Sequence, residues 1–336
     1  MELKLLKIEE ASSDQWDSIA DNCDYATYFH TREWAEIWQE YSGGKLKPAA
    51  KILTFNDGVE VLFPMSVTKV FRGMLRQYIS SPENNYGGWL SVNKLSAEHH
   101  KLLWEYATTL NLIMRHNPYD SELQAAAKSR SWSFSDFTQA LDLQQGFETI
   151  SQSWQREQGK LIRKAQKAGM TLVEAKTLED WQEYYKVYEA TVERWGDKIL
   201  GSPYEWRLFE FIYNLRSNKI KLWLAKVDGQ VARGGIFFYQ SKHVVGWHGS
   251  GLKELFHLRP SNFLHTQLVE KACQEGYWWY DFNPSGGLEG VTAFKETFGC
   301  QKLQFNLFIN KLAARKLIDN TKEIIANRNL KVLSHK

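Results

Sequence analysis

The sequence predicts an α/β (α+β, mixed-sheet) protein made of two tandem copies of one unit, followed by a basic helical tail. Three observations predict it. The chain has 336 residues, too long for one ordinary core and suited to two. A hairpin pattern, a glycine–tryptophan segment, a helical stretch and a strand ending in Asn-Pro occur twice in the same order. The turns Asp57-Gly58 and Asp228-Gly229 lie 171 residues apart, and the endings Asn117-Pro118 and Asn283-Pro284 lie 166 apart. A single Asp-Gly or Asn-Pro match means little; the shared order at a nearly constant offset carries the argument.

Each element follows from its local pattern. Residues 31–41 read as an amphipathic helix, because Trp34, Ile37, Trp38 and Tyr41 fall at i, i+3, i+4 and i+7. Residues 51–69 read as a hairpin about Asp57-Gly58, with its second strand over 59–67. Tyr86-Gly87-Gly88-Trp89, a helix over 96–109 and a short strand complete the first copy. Residues 153–168 predict a connecting helix. Arg156, Lys160, Arg163, Lys164 and Lys167 share one face, Trp154, Leu161, Ala165 and Ala168 the other, and Gly169 caps the end. The second copy opens with a helix over 178–195 carrying Trp181, Tyr184, Tyr185 and Tyr188. Strands over 222–227 and 231–239, the segment Val245-Gly246-Trp247-His248-Gly249 and a helix over 261–275 follow. Helix, hairpin, helix and strand make a mixed sheet with helices on its faces. The expected organisation is residues 1–145, residues 146–310 carrying the site, and a tail over 311–336.

Composition narrows the class. Apolar residues make up 43% and charged residues 24%, with only 7 Pro, which excludes a disordered chain. The net charge of +3 is unevenly placed: the tail holds seven Lys/Arg against two Asp/Glu, leaving the rest near −2. That is not the basic stripe of a dedicated nucleic-acid binder. Three cysteines, Cys23, Cys273 and Cys300, lack C-x-x-C spacing, which argues against a disulfide framework or zinc site. His99 and His100 are adjacent on a helix and point to different faces, so no metal is predicted. Charges interrupt every apolar run near the start, and none reaches the roughly 20 residues a membrane span needs. These features predict a soluble, cytoplasmic protein.

Three motif groups resemble a known family. Phe29-His30-Thr31-x-x-Trp34 is one; Leu141-Asp142-Leu143 followed by Lys160-x-x-Arg163-Lys164-Ala165-x-Lys167-x-Gly169 is another. The third is Tyr280-Asp281-Phe282, then Gly290-x-x-x-Phe294-Lys295-x-x-Phe298-Gly299, the most specific of them. Together they resemble the Fem-type peptidyltransferases and related FemAB-like N-acyltransferases, and the resemblance spans roughly residues 29–309. It implies two tandem GNAT domains and acyl or aminoacyl transfer onto an amine of a cell-envelope (peptidoglycan), polysaccharide or small-molecule acceptor. The implied donor, acyl-CoA or aminoacyl-tRNA, is a co-substrate rather than a bound cofactor. The chain shows no long charged heptad insertion, which weakens the case for aminoacyl-tRNA. Residues 251–261 also lack the Q/R-x-x-G-x-G/A loop that cradles the CoA pyrophosphate in ordinary GNAT enzymes. The donor stays open between the two.

Acyl transfer needs a polarised carbonyl, a deprotonated amine and a stabilised oxyanion. Lys295, between Phe294 and Phe298, is the expected oxyanion stabiliser, the role the resemblance also implies. Asp281, at the C-terminal end of a strand, is the expected proton acceptor, with His248 a further base or polar contact. For the acceptor we expect Arg194, Trp247, Asn283, Tyr280 and Arg163 of the basic helix face; the resemblance places Arg194 near acceptor phosphates. For the donor we expect Arg259, Ser261 and Asn262 at a helix N-terminus that offers free N–H groups. Two rival readings use other residues. A non-catalytic saccharide binder would stack sugars on Trp247 and Trp278. A tRNA binder would use the basic helix and tail, and the tail could also touch a membrane surface.

Overall fold

The computed structural model describes residues 2–123, 134–154, 156–196 and 202–311, so the expected tail beyond Lys311 lies outside the described residues. The first half contains β1 (Leu5–Glu10), α1 (Ser13–Asn22), α2 (Arg32–Tyr41), β2 (Leu46–Pro48), β3 (Lys51–Phe55) and β4 (Glu60–Phe63). It continues with β5 (Ser66–Val70), β6 (Leu75–Ile79), α3 (Ala97–Thr109), β7 (Leu112–Arg115) and β8 (Phe134–Asp142). Then come α4 (Phe147–Ser153), α5 (Arg156–Lys167), β9 (Thr171–Glu174), α6 (Leu178–Trp195), α7 (Trp206–Asn214) and β10 (Ile220–Val227). The second half closes with β11 (Gln230–Gln240), β12 (His243–Gly251), α8 (Pro260–Gln274), β13 (Trp279–Asp281), α9 (Glu289–Glu296) and β14 (Gln301–Asn310).

Local chemistry sets the helix ends. Thr177 and Asp180 cap α6 reciprocally, and Gly196 ends it at φ +50°. The Thr31 hydroxyl accepts the Trp34 N–H at the start of α2. Both helices turn their rings inward. Trp34 and Trp38 of α2 share one core with Trp181 and Tyr184 of α6 and Phe238 of β11. Tyr28 stacks on Phe238 with centroids 4.2 Å apart, so rings from both halves interlock. Burying a ring such as Phe238 contributes about 1.5–3 kcal/mol.

The repeat is visible in the sheets. β6 and β7 pair in parallel across α3, as β12 and β13 do across α8. Two departures from the sequence expectation have physical causes. The strand expected over 59–67 is broken into β4 and β5, because Pro64 cannot donate to a ladder. Thus β1, β3 and β4 form their own three-stranded sheet. The other described strands form one eleven-stranded sheet in the order β2-β5-β6-β7-β14-β8-β13-β12-β11-β10-β9. The last strand, β14, lies between β7 and β8, so the sheet runs on across residues 145/146. No described helix is long and apolar enough to cross a membrane.

Candidate active site

The site forms where two parallel strands part. Their pairing covers only His243–Val245 against Trp279–Asp281. Beyond it β12 continues beside β11, while the other strand turns away at Asn283-Pro284, with Asn283 at φ +63°. A cavity of about 550 Å³ opens in the gap. Gly234, Gly235 and Gly246 lie along its wall. A Cβ on Gly234 would sit 2.5 Å from the Tyr184 ring, so that close approach requires glycine. Phe237 pairs with Gly246 and Ile236 with His248, which leaves Trp247 bulged out of the ladder and facing the cavity.

Lys295 reaches the cavity from α9. Only 5% of the residue is exposed, and its Nζ donates to the Asn283 carbonyl at 2.5 Å. Burial pushes its pKa down to about 8, against a smaller opposing pull from the Asp281 charge. No carboxylate lies within salt-bridge distance of it among the described residues. His248 lines the same cavity, with Nδ1 2.6 Å from the Tyr184 hydroxyl. Burial, then the nearby Arg233 charge, pushes its pKa down to about 3, so the ring is neutral at physiological pH.

The other end of the cavity is cationic. Arg194 donates to the Gly251 carbonyl at 3.0 Å and lies over Phe256, 5.1 Å from the ring centroid. Arg233, an arginine in an apolar strand just before Gly234-Gly235, has a buried Nε without a hydrogen-bond partner among the described residues. Neither arginine pairs with a carboxylate among the described residues, and burial, with a smaller push from the Arg194 charge, lowers the Arg233 pKa. α8 starts here as well, with Ser261 on the cavity wall and no side chain capping its first N–H groups.

The structure brings Lys295, His248, Arg194, Trp247, Asn283 and Ser261 to one cavity and separates the other expected residues. Asp281, expected to accept the amine's proton, is fully buried and is not on the cavity wall. Its carboxylate is occupied by Thr138, by the hydroxyls of Tyr86 (2.5 Å) and Tyr119 (2.7 Å), and by the Asn283 N–H (2.7 Å). Burial raises its pKa despite these donors. It ties the halves together and holds the loop that receives Lys295. Tyr280 is likewise buried, with its hydroxyl 2.7 Å from His265 Nδ1, so it positions a cavity residue rather than a substrate.

Three further expected residues lie away from the cavity. Arg163 borders a separate groove between α4, α5 and α8. Asn262 points back to α5, where its Nδ2 donates to Gln158 Oε1 at 2.7 Å. Arg259 takes a left-handed conformation ahead of α8 and is not on the cavity wall. The proposed sugar-stacking pair also separates. Trp247 packs against Trp34 and Phe238, whereas Trp278 lies under Lys242, away from the cavity. Sequence reasoning missed Arg233 and His265. The signal for Arg233 was a charge set between apolar strand residues and two glycines.

The sequence of residues 152–296, which spans this cavity's strands and helices, matches the family described as acetyltransferase (GNAT) domain. This segment is similar in sequence to a GNAT domain. The solved structure of FemX matches the chain with a TM-score of 0.72 at 14% identity, over 93% of this chain and 100% of that one. A conserved protein of unknown function from Bacteroides thetaiotaomicron matches at TM-score 0.57 and 12% identity, over 90% and 99% of the two chains. L-PGS from Bacillus licheniformis matches at TM-score 0.56 and 12% identity, over 90% and 93%. No curated protein matches the chain. The fold is therefore Fem-like along its length, with the GNAT-like segment holding the cavity. Among the described residues no group of three or more His, Cys, Asp or Glu could hold a metal ion.

Proposed function

We propose that this GNAT-fold acyltransferase moves an acyl or aminoacyl group onto a primary amine of a cell-envelope, polysaccharide or small-molecule acceptor. Lys295 carries the reading: a buried ammonium, without a carboxylate partner among the described residues, at the wall of a substrate-sized cavity. In the reaction the amine nitrogen attacks the acyl carbonyl carbon, and the π pair moves to oxygen. The Lys295 ammonium donates to that oxyanion. Collapse expels the donor's thiolate or ribose oxygen, which takes up the proton the amine releases. One preorganised donor of this kind is worth about 10²–10³ in kcat.

His248 is held neutral and accepts a hydrogen bond from the attacking amine, orienting it. A ring with so low a pKa is a weak resting base, so the acceptor reacts as the free amine. Arg194, Arg233 and the start of α8 favour a substrate that carries a phosphate or carboxylate. An acyl-CoA diphosphate and a nucleotide-linked acceptor both meet that requirement.

The test is transfer from labelled acyl-CoA thioesters and aminoacyl-tRNA to a panel of amines and nucleotide-linked aminosugars. The proposal predicts transfer by the wild type with at least one pair and its loss in Lys295→Ala. Tight binding of panel members with no transfer by the wild type would instead support a binding protein.

A further inference from the structure

The first half has its own cavity, of about 260 Å³, beside the start of α3. It lies between the end of α1, the approach to α3 and the segment after Asn117-Pro118, the counterpart of Asn283-Pro284. Its rim carries Asp24 and Glu122, both exposed, with Lys94 bridged to Glu122 at 3.7 Å. Its floor is buried and holds His100 and Asp120.

Both floor residues have unmet hydrogen-bonding capacity. Asp120 is 5% exposed; its Oδ1 accepts the Leu123 N–H at 2.9 Å, while Oδ2 has no partner among the described residues. His100 is 2% exposed, and neither ring nitrogen has a partner among the described residues. Capping a helical turn explains the first carboxylate oxygen and leaves the second unexplained. A buried carboxylate without a cation is costly, and burial accordingly pushes the Asp120 pKa up to about 6.

We propose that this cavity is a second binding site, for a small organic ammonium group, with Asp120 Oδ2 as its anionic partner and His100 as a hydrogen-bonding wall. The volume exceeds several waters, each of roughly 30 Å³, and fits a short alkylammonium chain. The two acidic rim residues outnumber the one lysine there, which matches a cation. Tyr119 is shared with the transferase site: it lines this cavity and donates to Asp281, which holds the loop that receives Lys295.

The test uses the full chain with 1,4-diaminobutane as probe and butyrate as control, followed by calorimetry and by the NMR signals of the His100 ring. Diaminobutane should bind the wild type and Lys295→Ala alike and shift the His100 resonances. Asp120→Asn keeps the cap but loses the charge, and should bind about ten- to hundredfold more weakly. Butyrate should not move those resonances. Equal binding by Asp120→Asn, or loss of binding in Lys295→Ala, would place the amine elsewhere and overturn the proposal. So would unchanged His100 signals at millimolar probe, which would leave the floor to ordered water. None of these readouts depends on turnover, so the outcome is separate from that of the proposed reaction.

Discussion

The two halves build the same parallel strand–helix–strand unit and finish its mouth in opposite ways. In the first half Ser96 and His99 cap α3 reciprocally, taking up two of the N–H groups at its start. The neighbouring space is packed with Trp89, Leu90 and Leu62, all fully buried. In the second half no side chain caps α8, and glycines line the adjoining strands. Three cations, Lys295, Arg233 and Arg194, are left there without carboxylate partners among the described residues. The difference teaches that the reactive mouth leaves its helix start uncapped and holds buried cations, whereas its duplicate caps the helix and buries apolar side chains beside it.

Removing the charge from the second mouth should give the largest effects. Lys295→Ala should lower kcat/KM about 10²–10³-fold, measured on whichever donor and acceptor pair the panel identifies. Lys295→Met should lose activity equally and raise stability, because burial disfavours the ammonium in the fold. With a pKa of about 8 against the usual 10.5, the gain is at most about 3 kcal/mol. The sign follows from the lowered pKa. The gain should be full below about pH 8 and vanish as pH rises past 10.5, as denaturant melts across pH would show. A variant less stable than the wild type at pH 7 would mean that Lys295 is structural.

Arg233→Met should raise KM for the anionic substrate about ten- to hundredfold with kcat little changed, in steady-state kinetics. An unchanged KM would remove Arg233 from the anion end of the cavity. Asp281→Asn breaks the tie between the halves and should cost about 1–3 kcal/mol in denaturant unfolding. Full stability with abolished turnover would restore Asp281 to the chemistry. The smallest effect is expected from Gly249→Ala. The new Cβ would meet Arg233 Nη2 at 3.0 Å, and the flexible guanidinium can shift, so KM should rise only about two- to fivefold.

What the sequence revealed tracks how local each signal is. α6 spans the expected residues because its capping threonine and terminal glycine flank a run of rings in helical spacing. The helices begun by Ser96 and by Pro260 fall within one residue of expectation, one set by its serine cap and the other by the proline of its first turn. The break at Pro64 was also local, but the apolar run on either side masked it. The seat of β14 between β7 and β8 has no local signature, since its partners lie far away in the chain. In the site, Lys295 stood out by its aromatic neighbours. Whether Asp281 was free depended on Tyr86, Tyr119 and Thr138, which lie 195, 162 and 143 residues away. An exposed-looking polar motif does not announce that its oxygens are already taken.

The most direct test of the central claim, that the second half transfers acyl groups through a buried ammonium, is the pH dependence of kcat/KM in the wild type and Lys295→Arg. The wild-type rate should fall through about pH 8 as Lys295 loses its proton, and that limb should be absent from the arginine variant's profile. A rate that rises through pH 8 and then holds level, or a Lys295→Met variant with wild-type turnover, would contradict the account.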